Sequence, residues 1–437
     1  MGLFDLLKKG SSPKTVAIGL DGVPHSLLNN LVSKGYLQNM AAIFKNGYYG
    51  KMEVCLPEIS SVSWSSFMTG TQAGEHGIFG FVDLQPNTYR FTFPNFLNLR
   101  GKTLFDDLGD TNGRCVVINL PSTYPVREIP GILISGFVAI DLNAAVYPKS
   151  LIPRLQDMGY SIDIDTVKAR EDHELLFREL HRTLHTREQV ADYLWSDEDW
   201  DLFMVVITGT DRLNHFLWNA YEDQNHPRHE AFINYYQQVD QFVGRTYEKF
   251  LALNPSGSGE NHFVMLSDHG FEGIRLEVYL NEWLKQEGLL SFGSKQPESL
   301  EDISEGSKAF ALDPSRIYIN SKGRYPKGSV EPGDVEKIKE EIRSGLKDLT
   351  SGEDLPVVRR IFDGDEIYQG PLTSQGPDLV LLSNSGFDLK GKLASPTLFG
   401  RTVLQGKHTH DDAFVYSSKG KEAKTIFELK KLILDER

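Results

Sequence analysis

The apolar runs of this chain are short, rich in β-branched residues, and repeatedly closed by a carboxylate or an imidazole. Residues 15–20 (TVAIGL) run into Asp21-Gly22, residues 201–208 (DLFMVVIT) into Gly209-Thr210-Asp211, and residues 262–266 (HFVML) into Ser267-Asp268-His269. Runs this apolar, with no alternation, read as strands buried on both faces. A sheet is covered on both faces when crossover helices join parallel strands, so these runs call for intervening helices. Helical spacing at 25–34, 171–197, 230–253 and 423–434 supplies them, and further strands are read at 48–56, 114–120 and 132–137. The expectation is an α/β fold, a mostly parallel sheet flanked by helices. Ligands of such sheets gather at the carboxyl ends of the strands, where these carboxylates and imidazoles stand.

Composition shifts near residue 291. Residues 291–375 read as an inserted lobe, with strands at 315–320 and 357–362 and a helix at 335–346. A strand at 378–382 is expected to return to the core, which gives a catalytic core of 15–290 and 376–437 and an N-terminal tail of 1–14. The tail places Leu3, Phe4, Leu6 and Leu7 before Lys8 and Lys9. That is one amphipathic turn or two, and it reads as a frayed tail because so short a helix is marginal alone. Its basic residues follow the apolar ones, against the order of a secretory signal, and no apolar run reaches the length of a membrane span. With 46 Lys and Arg against 60 Asp and Glu, the net charge is −14, which argues against a nucleic-acid-binding surface. Cys55 and Cys115 each lie in an apolar run and read as buried thiols of a cytoplasmic, reducing compartment.

Residues 57–79 (PEISSVSWSSFMTGTQAGEHGIF) open on a hydroxyl pair, Ser60-Ser61, continue as a short helix and break at Gly70. The first N–H groups of a helix lack internal acceptors and, with the dipole, favour an anion. Ser60 is therefore read either as a plain N-cap or as a hydroxyl that attacks a phosphate held at that helix end.

Metal-ligand residue types recur after successive strands: Asp21, Asp211 with His215, Asp268 with His269, and His408. Asp211 and His215, four apart, share one face of a helix. Three carboxylates and three imidazoles are enough for two divalent ions with open positions, and the mixture suits zinc, manganese or iron better than calcium or magnesium. His173, His181 and His185 have no such strand-end setting and read as surface or capping residues.

Together these segments resemble the alkaline phosphatase superfamily, and most closely its branch of type I phosphodiesterases and nucleotide pyrophosphatases. The matching stretches are GLDG at 19–22, the Ser60 segment through HGIF, INLPSTYP at 118–125, TDRLNHFLW at 210–218, SDHGF at 267–271 and VYLNEWL at 278–284. The resemblance implies an alkaline-phosphatase-like fold and two divalent ions, Zn2+ first and Mn2+ second. One would be held by Asp211, His215 and His408, the other by Asp21, Asp268 and His269. Counting back from Thr69-Gly70, it puts the nucleophile at Ser60, with Ser61 as the fallback, and gives Ser63 a part in holding a phosphate oxygen. Arg212 and Lys407 flank ligands and are candidates for neutralising the phosphate of a small phosphorylated substrate. His410 rivals His408, and His76 in the HGIF motif reads as structural. The implied activity is hydrolysis of phosphoesters, diesters in particular, through a phosphoserine intermediate. A cofactor-independent phosphomutase using the same site is the alternative. The segment from Glu58 to Gly74 contains no Lys or Arg to meet a monoester's second charge. Val62, Trp64 and Phe67 are expected to face either an esterified group or the core.

Overall fold

The computed structural model describes residues 13–253, 261–352, 354–401 and 403–434. Its central sheet has eight strands, in the order Tyr48–Met52, Ala413–Ser417, His262–Leu266, Thr15–Leu20, Leu202–Ile207, Cys115–Leu120, Gly131–Ser135 and Val146–Tyr147. The five from His262–Leu266 to Gly131–Ser135 are mutually parallel. Antiparallel strands finish both edges. Every residue of Thr15–Leu20, Cys115–Leu120, Leu202–Ile207 and His262–Leu266 is buried, as their unbroken apolar character requires.

Alternate residues of each strand serve opposite faces. Val16, Ile18, Phe203 and Val205 pack with Leu27, Leu180 and Val239 of the helices His25–Ser33, His173–Asp197 and His229–Ala252. Ala17, Met204 and Val206 pack on the other side with Trp64, Phe67, Leu108 and Leu429. Those residues belong to the helices Ser60–Thr69, Leu104–Asp110 and Leu429–Leu434. Trp64 and Phe67 are therefore core residues, and Val62 is likewise enclosed, beside Cys55, Leu56 and Phe79.

The lobe carries its own antiparallel sheet, ordered Ala309–Leu312, Arg316–Ile319, Leu379–Ser383 and Val358–Asp363. Helix Val335–Lys347 covers it with Ile338, Ile342 and Leu346, spaced four apart. The strand expected to return to the core after residue 375 stays in this sheet, between Arg316–Ile319 and Val358–Asp363. An apolar run buried on both faces says that it belongs in a sheet but not in which one. The lobe's apolar cluster also takes in Val278 and Leu280, before residue 291. Phe387–Lys390 pairs with Leu276–Tyr279, so the lobe and the core interleave at both expected boundaries.

Two connections set the site. The strand Gly270–Gly273 pairs antiparallel with Gly406–Thr409, which brings His408 opposite Phe271. The helix Ser60–Thr69 lies over the sheet at Gly19, where a Cβ would stand 2.8 Å from the Trp64 ring and 3.1 Å from Val206. Only glycine admits so close an approach. Of the expected tail, residues 1–12 lie outside the described residues. Both cysteines are buried and free, and no helix among the described residues is long and apolar enough to cross a membrane.

Gly19→Ala should destabilise the fold by about 1–3 kcal/mol, the range for overpacking a close contact, because Trp64 and its helix must shift. Urea-unfolding midpoints of the two proteins, compared at fixed pH, would check it.

Candidate active site

Asp21, Asp211, Asp268 and His269 sit where a core strand hands over to a helix or a turn, and His215 and His408 reach in from a helix and a strand beside them. Asp21 follows Thr15–Leu20, Asp211 lies in the first turn of the helix Gly209–Glu222 with His215 one turn on, Asp268 and His269 follow His262–Leu266, and His408 lies on the Gly406–Thr409 strand. The Thr210 hydroxyl ties the loops together by donating to the Asp21 carbonyl at 2.6 Å. Asn214 donates to the Gly22 carbonyl at 2.8 Å and accepts from the Tyr236 hydroxyl at 3.0 Å.

The imidazoles are oriented alike. Nδ1 of His215 donates to the Gly406 carbonyl, that of His408 to the Glu58 carbonyl, and that of His269 to the Gly270 carbonyl, at 2.9, 2.9 and 3.0 Å. Each ring therefore turns an Nε2 lone pair inward. The Nε2 atoms of His215 and His408 face one another at 3.0 Å, and the His269 and His408 rings stack with centroids 3.5 Å apart.

The carboxylates repeat the pattern. One oxygen of Asp268 accepts from the Gly22 N–H at 3.0 Å, one of Asp21 from the Trp64 indole at 3.3 Å, and one of Asp211 from the Arg212 guanidinium at 2.9 Å. The second oxygen of each is buried without a hydrogen-bond partner. Asp211 Oδ1 lies 3.4, 3.3 and 4.0 Å from the Nε2 atoms of His215, His408 and His269. His269 Nε2 lies 3.2 Å from Asp268 Oδ2 and 3.8 Å from Asp21 Oδ1. Ligand atoms of Asp211, His269 and His408 fall within 4.8 Å of one another, and so do those of Asp21, Asp268 and His269.

Three unpartnered carboxylate oxygens and three inward lone pairs form a buried cluster of acceptors, of which the Ser60 hydroxyl can satisfy one, His269 Nε2. Buried acceptors are costly when unpaired, and a cation is the group this set fits. The titration behaviour has the same origin. Burial raises Asp268 to about 6, with the charge of Asp211 adding to it, and burial together with Asp268 and Asp211 raises Asp21 well above the usual carboxylate range. Burial also acts to raise Asp211, but His215, His408 and Arg212 outweigh it and hold that carboxyl below the usual range. Burial lowers His215 and His269 to about 4, so near neutrality these rings are uncharged, with the single proton on Nδ1 and Nε2 free.

Ser60 opens its helix at the first helical position; Ile59 is the capping residue and makes no side-chain cap. The plain N-cap reading of Ser60 therefore does not hold. Its hydroxyl lies 3.0 Å from His269 Nε2 and faces the cluster. The Ser61 hydroxyl is buried and unpartnered, and it lines a different, apolar cavity.

Ser63 and Arg212 are placed differently from expectation. Ser63 is fully buried with its hydroxyl 3.1 Å from the Cys55 sulfur, away from the Ser60 hydroxyl. Arg212 neither faces solvent nor has a free guanidinium. It is buried over the Phe137 ring at 4.0 Å and divided between Asp211 and Asp163, with contacts to Asp163 at 2.7 and 3.0 Å. Lys407 pairs with Glu272 at 3.1 Å while lining the cleft beside His215 and His408. His410 leaves the cluster and lines a separate cavity with Glu53 and Cys55. His173, His181 and His185 lie on the helix His173–Asp197, outside both ligand groups. His76 is structural: it accepts the Ile78 N–H at Nδ1, at 3.2 Å, so its Nε2–H donates to Ser66 on the Ser60–Thr69 helix at 3.0 Å. Sequence reading missed Asp163, the anchor of Arg212, and Trp64 as the donor to Asp21. Neither lies next to a ligand in the chain, and only the fold brings them there.

The sequence profile of the type I phosphodiesterase / nucleotide pyrophosphatase family matches residues 15–411. The chain belongs to that family. Membership makes it a metal-dependent phosphoric ester hydrolase. No curated protein matches it by sequence. Among solved structures, phosphonoacetate hydrolase from Sinorhizobium meliloti 1021, in complexes with phosphonoformate and with phosphonoacetate, superposes with a TM-score of 0.62 and 14% identity, covering 97% of this chain and 95% of that one. Murine ectonucleotide pyrophosphatase / phosphodiesterase 5 gives 0.56 and 12%, covering 96% and 93%. At these identities the likeness is one of fold, and it is the alkaline-phosphatase-like fold expected.

Two outcomes follow for the family member described here. Arg212→Gln leaves Asp163 unpaired and Asp211 less firmly held, so the variant should retain metal more weakly by roughly 10–100-fold, read by elemental analysis after dialysis against graded chelator. Burial lowers His76 to about 3. Its folded value lies below the unfolded one near 6.5, so it contributes stability that is present above about pH 6.5 and lost as pH falls toward 3. Between pH 7 and pH 5 that loss is about 2 kcal/mol, and His76→Gln should show a correspondingly shallower fall in urea-unfolding free energy.

Proposed function

We propose that this enzyme hydrolyses phosphodiesters through a phosphoserine intermediate on Ser60. The observation that carries the reading is the Ser60 hydroxyl at a helix N-terminus, 3.0 Å from His269 and facing three unpartnered carboxylate oxygens. Asp211, His215 and His408 would hold one divalent ion and Asp21, Asp268 and His269 the other, zinc by preference and manganese as the second choice. Bound there, the ions would supply activation of the hydroxyl and stabilisation of charge on the phosphoryl and leaving oxygens.

The chain's own groups do the rest. Ser60 Oγ attacks phosphorus in line, the Oγ–P bond forms, and the bond to one ester oxygen breaks; that oxygen leaves as an alcohol, taking in net the proton that the Ser60 hydroxyl gives up. The open N–H groups of the first helical turn stabilise the charge gathered on the phosphoryl oxygens. Water then attacks the phosphoserine, the Oγ–P bond breaks, and a phosphomonoester departs. The murine relative of similar fold is inactive as a Thr→Ala variant, whose complex contains AMP, which supports a hydroxyl in this role.

The preference for diesters follows from where the cations are. A monoester brings close to two negative charges at neutral pH and calls for an extra positive group. Arg212 is held by Asp163 and Asp211, and Lys407 by Glu272 and Ser383, so neither guanidinium nor ammonium is free to meet it. The substrate is accordingly read as a small phosphodiester. Two buried free thiols support a reducing, cytoplasmic setting.

Ser60→Ala should lower kcat on bis-p-nitrophenyl phosphate by roughly a thousandfold or more while leaving metal content unchanged. Retained turnover in Ser60→Ala together with a dead Ser61→Ala would move the nucleophile by one residue. A higher kcat/KM for p-nitrophenyl phosphate than for the matched diester would overturn the diester reading.

A further inference from the structure

The cleft beside the ligand cluster, about 200 Å³, is lined by His215, His408 and Lys407 and, from the segment that follows residue 382, by Ser383, Asp388 and Lys390. Among the described residues lining it, two are lysines, and they are neutralised in different ways. Lys390 pairs with Asp388 at 2.7 Å, and both members line the cleft. Lys407 pairs at 3.1 Å with Glu272, which lines a separate cavity together with Glu222, Thr409 and Asp412. Lys407 is thus a cation of the cleft whose counter-charge stands outside it.

The fold builds this pair deliberately close. Glu272 and Lys407 are directly opposed in the antiparallel ladder of Gly270–Gly273 and Gly406–Thr409, one position from the Phe271–His408 pair. Side chains directly opposite on such a ladder are neighbours. The carboxylate is fixed from the far side as well, because it accepts from the Ser385 hydroxyl at 2.6 Å and from the Gly386 N–H at 3.2 Å. The ammonium also donates to the Ser383 hydroxyl at 3.1 Å and to the His408 carbonyl at 3.4 Å. Ser383 ends the lobe strand Leu379–Ser383, and Ser385 and Gly386 form the turn after it, so one turn holds both members of the pair. Lys407 is buried, and a buried ammonium without a partner is costly. Its charge must go to a carboxylate or to a ligand.

We propose that Glu272 is a positioning residue that sets the substrate's charge: by holding Lys407 it withholds the ammonium from a second phosphoryl charge, and the site discriminates against monoesters. The assignment rests on the phosphodiester reading of the Ser60 site. A monoester brings close to two negative charges at neutral pH, one more than a diester. Once Glu272 loses its charge, Lys407 is an unmatched ammonium on a flexible four-carbon stem, in the wall of the cleft that His215 and His408 share. A dianion entering that cleft becomes its counter-charge, and a monoanion with both ester oxygens substituted gains less from it.

The test compares the wild type with Glu272→Gln, Lys407→Met and the double variant. Glutamine keeps the shape and an acceptor oxygen for the Ser385–Gly386 turn while removing the charge. Inorganic phosphate and dimethyl phosphate are titrated calorimetrically into the zinc-loaded proteins near pH 8, where phosphate is mainly a dianion. Glu272→Gln should tighten phosphate by roughly tenfold or more relative to dimethyl phosphate, the gain from one charge-assisted hydrogen bond, and the double variant should lose that gain. The ratio of kcat/KM for p-nitrophenyl phosphate to that for bis-p-nitrophenyl phosphate should rise by a similar factor in Glu272→Gln alone. Lys407→Met by itself should leave the ratio of the two Kd values where it is in the wild type, since Glu272 already occupies the ammonium. An unchanged Kd ratio in Glu272→Gln, a rise that the double variant retains, or weaker relative binding of phosphate in Lys407→Met would overturn the proposal. A wild-type preference for the monoester, beside a Lys407-dependent tightening of phosphate in Glu272→Gln, would refute the diester reading and leave the role of Glu272 standing. A wild-type preference for the diester, with equal phosphate Kd in the wild type and Glu272→Gln, would do the reverse.

Discussion

The site is organised by a surplus of buried acceptors. Asp21, Asp211 and Asp268 each anchor one carboxylate oxygen on a donor and leave the other unpartnered. His215, His269 and His408 each anchor Nδ1 on a carbonyl and turn Nε2 toward those oxygens. Left to itself such a cluster repels, and the surrounding framework holds it together: Arg212 across Asp211 and Asp163, the Gly22 N–H on Asp268, the Trp64 indole on Asp21. Cations bound there would offset that repulsion, with the ligand geometry already set.

The same framework ties the Ser60 hydroxyl to the acceptor cluster. Trp64 belongs to the helix that begins at Ser60, packs into the space that Gly19 leaves open, and reaches Asp21 with its indole. The other end of the helix is pinned by the Ser66–His76 contact and closed by Gly70 in a left-handed conformation. A shift of the helix would therefore move the Ser60 hydroxyl and an Asp21 donor together. Phe137 makes a second link, since it carries the Arg212 guanidinium on its face, packs edge-on against Phe81, and forms part of the apolar cavity wall.

Much of this was readable from residues in order. TVAIGL-DG, DLFMVVIT-GTD and HFVML-SDH announce buried parallel strands with acids and imidazoles at one edge, and the structure brings all six expected ligand residues and Ser60 together there. Direction and partnership were harder to read. Ser63 follows Ser60 by nearly one helical turn, yet its hydroxyl turns to Cys55, in the connection between the strand Tyr48–Met52 and the helix. Arg212 sits next to a ligand, but its partner Asp163 lies 49 positions away in a stretch with no periodic signal. Residues 379–382 (LVLL) are apolar throughout, and such a run fits either sheet, so its place in the lobe depends on Arg316–Ile319 and Val358–Asp363 offering open edges.

The central claim is that the acceptor cluster is a two-cation centre with the Ser60 hydroxyl at its edge. Anomalous X-ray diffraction from crystals grown with zinc tests it most directly. The account predicts two peaks, one among Asp211, His215 and His408 and one among Asp21, Asp268 and His269, with Ser60 Oγ beside the second. Absence of both peaks at full zinc occupancy elsewhere in the crystal, or a single ion held by other residues, would contradict it.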